Sequence, residues 1–274
     1  MKGENHENRI HRNRKHGRSH TGGLSASTNA AGSELMAFDP SEKSRSAIKA
    51  KVSDIRFCSD IGELCRLSEI IFIGVKPQIV SGVLEEMAQS YTSDKTVVSM
   101  VTGGVTMDVI AESLGRDARI IRIMPNTPAS VGEAMTAVCR NGNITDEDFA
   151  KVREILDSIG ITEEIDESLM GCVGGVSGSS PAYTYMYIEA LMQAAMEFGM
   201  PEKEARIFAA QAVSGAAKMV LDSNKTAKEL REDVCSPGGV TIEAVNTLLE
   251  NGFMDDVKEG FRASMKRFKE INAE

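Results

Sequence analysis

Two hydrophobic rhythms divide this chain. From residue 34 to about 165, short apolar runs alternate with stretches of helical spacing. Ile70–Val75 is an unbroken apolar run of strand length, the pattern of a strand buried on both faces. Similar runs predict strands at Glu34–Asp39, Ile55–Cys58, Val97–Val101, Arg119–Met124, Ala134–Cys139 and Ile161–Ile165. Helices are predicted over about 42–51, 60–66, 78–91, 106–114 and 145–158, the last opened by the acidic, well-capped Thr145-Asp146-Glu147-Asp148. Strands alternating with helices predict a doubly wound parallel α/β domain.

After Asp166 the rhythm changes and no strand is predicted. Pro181–Phe198 and Pro201–Leu221 are long helices with little charge, residues 226–233 lead into a further helix that opens at Ser236 and runs to about Glu250, and Phe253–Ile271 is an amphipathic one. Helices this apolar need burial on most sides. In about a hundred residues, that favours packing against a second copy of the chain. The expected plan is residues 24–165 as a dinucleotide-binding domain and 166–274 as an all-helical domain for substrate and dimerisation.

Composition changes the picture at one place. The 274 residues are 42% hydrophobic and 26% charged, with net charge −9, as in a globular protein that binds neither nucleic acid nor membrane. No apolar run reaches membrane-span length, and no signal-peptide pattern opens the chain. Five scattered cysteines without metal-ligand spacing point to no metal site and to a reducing, cytoplasmic setting. Residues 1–23 stand apart. They hold six Lys/Arg against two Asp/Glu and all four histidines, leaving 25 Lys/Arg against 38 Asp/Glu, or −13, in the remainder. The segment lacks apolar periodicity and reads as a disordered tail, with a basic nucleic-acid arm or a His-rich metal tract as weaker alternatives.

Chemistry gathers at strand ends. Asp39 closes the first predicted strand, where an acidic residue binds the ribose hydroxyls of NAD. Ser41, Lys43 and Arg45 just beyond it suit the 2′-phosphate of NADP, so both cofactors stay open. Lys76-Pro77 and Thr102-Gly103-Gly104 leave their strands at the carboxyl end, where open α/β sheets bind ligands. Ser236-Pro237-Gly238-Gly239-Val240-Thr241 predicts a helix start with Ser236 as N-cap and two glycines in the first turn. Glycines are poor helix formers, yet they let an anion approach the unpaired amides there. An ordinary capped helix is the competing reading.

Val234-Cys235-Ser236-Pro237-Gly238-Gly239-Val240-Thr241-Ile242-Glu243-Ala244 closely resembles the signature of the pyrroline-5-carboxylate reductases. Val75-Lys76-Pro77, Arg122-Ile123-Met124-Pro125-Asn126-Thr127-Pro128 and Ser177-Gly178-Ser179-Ser180-Pro181-Ala182-Tyr183 are similar to other motifs of that family, in the same order. The resemblance implies reduction of 1-pyrroline-5-carboxylate to L-proline by NADP(H) or NAD(H), in a homodimer or larger homo-oligomer. It implies cofactor contacts at Asp39, Ser41, Val75, Lys76, Pro77, Thr102, Gly103 and, toward the nicotinamide, Asn126. It assigns the substrate carboxylate to Ser236 and the amides of Gly238 and Gly239, the ring nitrogen to Thr241, and a place near the substrate to Glu167. At two points the chain departs from the family pattern: Ser180 stands where the family has glycine, and Ser59-Asp60 where it tends to have asparagine. Two other readings compete. A hydroxy-acid dehydrogenase would carry a catalytic lysine in its second domain and lack the Ser-Pro-Gly-Gly start. An inactive oligomer follows if residues 1–23 are native.

The family should begin with a strand and a Gly-x-Gly-x-x-Gly turn, and both are missing here. With suitable codon choices, Arg9–Gly23 read one nucleotide out of frame gives Gly-Phe-Ile-Gly-Thr-Gly-Asn-Met-Gly-Gly-Ala-Ile-Leu-Gly-Gly. That is the missing strand, glycine turn and helix start, with the frame restored near Leu24. As written, the chain is expected to leave a central sheet position empty and to hold dinucleotide weakly. Sequencing the 5′ end of the gene checks the frameshift: the shifted frame should encode those glycines, and codons unable to do so end the idea.

Overall fold

The structure, a computed structural model, describes residues 24–28 and 35–273. Residues 1–23, with the basic, histidine-rich stretch and the frame question, lie outside the described residues. The chain divides into two units, one running to Gly178 and resuming at Arg267, the other Ser179–Lys266.

The first unit is an eight-stranded sheet in the order β3-β2-β1-β4-β5-β6-β7-β8. Its strands are β1 (Leu24–Thr28), β2 (Leu35–Phe38), β3 (Arg56–Phe57), β4 (Ile70–Gly74), β5 (Thr96–Ser99), β6 (Arg119–Met124), β7 (Ala134–Arg140) and β8 (Gly160–Glu164). Five helices accompany them: α1 (Glu42–Lys49), α2 (Ile61–Leu67), α3 (Val80–Ala88), α4 (Met107–Leu114) and α5 (Asp146–Asp157). Burial on both faces explains the unbroken apolar runs. Ile71 and Ile73 of β4 pack with Val80, Leu84 and Met87 of α3 and Ile110 of α4. Ile70, one residue before them on the alternate face, joins Val98, Ile121, Phe149 and Val152 there.

The central position expected to be empty is filled. Leu24–Thr28 lies antiparallel between β2 and β4, with Ala26 opposite both Ala37 and Phe72. Two reasons account for this. Unpaired ladder groups on β2 and β4 would be costly in the middle of a sheet. The six residues 29–34 are also too few for the crossover that a parallel strand needs, which takes a dozen or more. β7 likewise runs antiparallel to β6, because only a 3₁₀ turn, Thr127–Val131, joins them. The expected parallel order therefore holds for β2–β3, β4–β5–β6 and β7–β8.

Two boundaries shift for local reasons. The helix expected from residue 78 starts as a 3₁₀ turn, Pro77–Ile79, and becomes α-helical at Val80. The strand expected at 97–101 ends at Ser99, whose hydroxyl accepts from Val101 N at 3.3 Å and bends the chain. The helical region also begins inside the first unit. A 3₁₀ turn (Glu167–Leu169), α6 (Met170–Val173) and a π-helical stretch (Gly174–Ser179), as far as Gly178, belong to the first unit.

The second unit holds α7 (Ser180–Glu197), α8 (Glu202–Asp222), α9 (Ala227–Val234), α10 (Val240–Glu250) and most of α11 (Phe253–Ala273). Pro181 sits in the first turn of α7, where its missing N–H is tolerated. A capping box between Thr226 and Glu229 starts α9. α7 packs on α8, and Tyr187 meets Phe253 with ring centroids 6.2 Å apart. Among the described residues only Ala205 and Ala209 of this unit are buried, while Tyr185, Met186, Phe208 and Leu221 are more than half exposed. No described helix is long and apolar enough to cross a membrane.

Candidate active site

Four strands, β2, β4, β5 and β6, end on the same edge of the sheet, and the residues marked in the first unit follow those ends. Asp39 leaves β2 and turns inward. It is 1% exposed; one oxygen accepts from Ser41 N at 2.8 Å, and the other is buried without a hydrogen-bond partner. An orphaned buried oxygen is costly unless a donor reaches it. Ser41 caps α1 by accepting from Ser44 N, and Arg45 donates to the Asp39 carbonyl at 2.7 Å. The β2 exit thus offers a carboxylate oxygen suited to a ribose hydroxyl and a Ser41–Arg45 rim suited to a phosphate.

Val75 is buried beyond β4, and Lys76 is exposed at the head of the Pro77–Ile79 turn. After β5, Gly103 and Gly104 adopt φ of +82° and +79°, which side chains with a Cβ rarely adopt. A Cβ on Gly103 would also stand 3.2 Å from Ile271 Cγ2 and 3.4 Å from Pro77 Cγ. The turn is therefore pressed onto the Lys76-Pro77 exit, with Thr102 exposed beside it. The described residues fit a dinucleotide at its adenosine end and along β4 and β5. None supplies a glycine cradle for the diphosphate, because β1 ends on the opposite edge.

Asn126, expected at the nicotinamide, is spent elsewhere. Its Oδ1 accepts from Met135 N at 3.0 Å, and its Nδ2 donates to the Ser177 carbonyl at 3.1 Å. It joins the start of β7 to the π-helical stretch. Glu167 is likewise committed: one oxygen, Oε1, accepts from Arg122 Nη1 and from Met107 N, each at 2.9 Å. Within the first unit both side chains hold backbone, Asn126 through its oxygen and nitrogen and Glu167 through one oxygen.

Arg122 is the residue that sequence reasoning missed. Its side chain is 6% exposed, buried in the sheet with Glu167 as its carboxylate partner. An arginine inside the apolar run Ile120–Met124 was the available signal, since a buried guanidinium requires a partner. Cys139 lies near this pair, and its thiol is pushed up to about 12, first by burial and then by the Glu167 charge. Among the described residues no group of His, Cys, Asp and Glu is arranged to hold a metal.

In the second unit the Ser236 helix start is corrected. α10 begins at Val240 with Gly239 as N-cap, and no side chain caps it. Ser236–Gly239 is a turn closed by Gly239 N donating to the Ser236 carbonyl at 3.0 Å, with Gly238 at φ +70°. Proline second and a positive-φ glycine third make it a type II turn. The turn competes with the helix for these residues and wins because glycine favours it. The Gly239 amide is thereby spent. The first-turn amides of Val240, Thr241 and Ile242 have no helical acceptor within reach. Ser236 Oγ stands 2.7 Å from where a Cβ on Gly239 would lie, so it hangs over the helix start. Thr241 is half-buried in that first turn. A hydroxyl, open amides and the positive end of the helix dipole suit a carboxylate.

Residues 167–271 match the family model described as pyrroline-5-carboxylate reductase dimerisation, and residues 19–103 the model described as NADP oxidoreductase, coenzyme F420-dependent. The chain is 43% identical over 256 residues to the pyrroline-5-carboxylate reductase of Escherichia coli K12, covering 93% of this chain and 94% of that one. Its identity to the enzyme of Methanosarcina acetivorans is 37%, over 82% of each chain. Among solved structures, Plasmodium falciparum pyrroline carboxylate reductase with NADP bound superposes with a TM-score of 0.75 at 31% identity, over 86% of each chain. The Streptococcus pyogenes 1-pyrroline-5-carboxylate reductase gives 0.77 at 28% identity, over 86% of this chain and 89% of that one.

Glu167→Gln should leave the buried Arg122 charge without its counter-ion. We expect a loss of roughly 2–3 kcal/mol, discounted from a fully buried pair because the Glu167 side chain is 25% exposed. Thermal unfolding measures it, and an unchanged melting temperature would remove the pair from the fold's supports.

Proposed function

This chain belongs to the pyrroline-5-carboxylate reductase family and reduces 1-pyrroline-5-carboxylate to L-proline with NAD(P)H, and we propose that the Ser236–Thr241 turn and helix start hold the substrate. The uncapped start of α10 behind a positive-φ glycine carries this reading. The substrate carboxylate accepts from the Ser236 hydroxyl, from Gly238 N and from the first-turn amides, with Val240 N in place of the spent Gly239 N. Thr241, one residue into the helix, directs its hydroxyl to the ring nitrogen.

When bound, the dinucleotide supplies the hydride that the imine carbon accepts. Asp39, Ser41, Val75, Lys76, Pro77, Thr102 and Gly103 hold it along the carboxyl edge of the sheet. Asp39 suits the ribose of NAD and the Ser41–Arg45 rim the 2′-phosphate of NADP. Every histidine of the chain lies in residues 1–23, and no described residue offers an imidazole as proton donor. A substrate that arrives as the protonated iminium needs no proton before hydride arrives. The protein's work is then alignment and charge complementarity.

The functional unit is a homo-oligomer, at least a dimer. The exposed apolar side chains of α7 and α8 and the dimerisation model over residues 167–271 support it. None of the five cysteines forms a disulfide, in keeping with a cytoplasmic setting.

Thr241→Ala should lower kcat by roughly 10- to 100-fold with the melting temperature unchanged; steady-state kinetics that match the parent would take Thr241 out of the mechanism. Gly239→Val puts carbon against Ser236 Oγ and should raise KM for 1-pyrroline-5-carboxylate about tenfold, the scale of one lost charged hydrogen bond, while KM for NADPH stays put. An equal rise in both would move the carboxylate site elsewhere.

A further inference from the structure

We propose that Asn126 is a positioning residue that replaces a hydrogen bond Pro181 cannot make, and thereby fixes the turn that carries Ser177–Ser180. In an α-helix the Ser177 carbonyl would accept from the N–H four residues on. That residue is Pro181, which has no N–H. The stretch Gly174–Ser179 is π-helical, a rare and usually site-associated form, and it contains Gly174, Gly175 and Gly178, which favour helix weakly. Such a segment keeps its shape only if its surroundings hold it.

The holders are all in the first unit. Asn126 Nδ2 donates to the Ser177 carbonyl at 3.1 Å while its Oδ1 is fixed by Met135 N at 3.0 Å. Ser177 Oγ donates back to the Val173 carbonyl at 3.2 Å. Met124, two residues before Asn126, has its sulfur 3.5 Å from where a Cβ on Gly174 would lie, and Gly171 is packed so closely on Phe268 that a Cβ would stand 2.4 Å from that ring. At the base, Arg122 holds Glu167. One strand and its exit thus grip the approach to α7 at Glu167 and again at Ser177. The Pro-Asn-Thr-Pro and Ser-Gly-Ser-Ser-Pro motifs thus meet in one bond, from the asparagine of the first to a carbonyl that the proline of the second leaves without its α-helical donor.

This rests on the functional reading only where catalysis is concerned, so the test has two readouts. Asn126→Asp keeps the acceptor for Met135 N and removes the donor for Ser177. Hydrogen exchange in peptides spanning residues 174–184 should accelerate about tenfold, and KM for 1-pyrroline-5-carboxylate should rise at unchanged NADPH affinity, read by fluorescence titration. Adding Pro181→Ala supplies the absent N–H and should restore slow exchange and the KM. If N126D does not fold, recovery of a folded protein in N126D/P181A gives the same answer. Exchange unchanged in N126D, failure of P181A to rescue, or weakened NADPH binding with KM for the imine unmoved each overturns the proposal. A parent chain that does not reduce 1-pyrroline-5-carboxylate overturns the functional reading instead, and exchange still decides the bond.

Discussion

A guanidinium buried in a sheet has to find a carboxylate, and much of the first unit is arranged around that need. Arg122 lies on β6 with both faces of the sheet covered, where an unpaired charge would cost several kcal/mol. Its partner, Glu167, lies 45 residues on, and the same carboxylate oxygen also accepts from Met107 N at the start of α4. One atom therefore ties together a central strand, the helix that follows β5 and the turn that leads out of the sheet. The neighbouring Cys139 thiol registers the low polarity of this place, since burial raises its pKa more than any charge around it does.

From that anchor the chain leaves the sheet through segments with little stability of their own. The 3₁₀ turn, α6 and the glycine-bearing π-helical stretch follow one another between Glu167 and Ser179. Side chains from β6 and its exit, with Phe268 of α11, supply what those segments lack. Glycine here serves different ends at different places. At Gly171 it admits an aromatic ring, at Gly103 it permits a backbone bend against Pro77, and at Gly238 it closes the turn that leaves the amides of α10 open.

The central strand illustrates how a sheet enforces its own completion. β2 and β4 each present a ladder of donors and acceptors, and Leu24–Thr28 satisfies both in reverse direction. Direction matters for function. A strand entering from this side ends at the edge away from Asp39, Lys76 and Gly103, so it brings no helix start to the diphosphate. The family relationship runs through nearly the whole chain, while the strand before β2 runs opposite to its neighbours.

Sequence alone determined the local rhythm. Runs such as Ile70–Val75 had to be two-face-buried strands, because nothing polar interrupts them. Thr145 had to cap a helix, because acidic residues follow it at cap spacing. It also located the Ser236–Thr241 stretch, since serine, proline, two glycines and threonine in a row have few uses. What it left undecided were choices between partners distant in the chain. The resemblance placed Asn126 toward the nicotinamide, and the fold gives it Met135 N and the Ser177 carbonyl. The resemblance placed Glu167 near the substrate, and the fold brings Arg122 to it. Ser236 could cap a helix or open a turn, and the positive φ of Gly238 decided for the turn. Hydrophobic periodicity records which face of an element is buried. It carries no record of which polar atom meets which, because that depends on strand order and direction, and those follow from how the whole sheet satisfies its backbone.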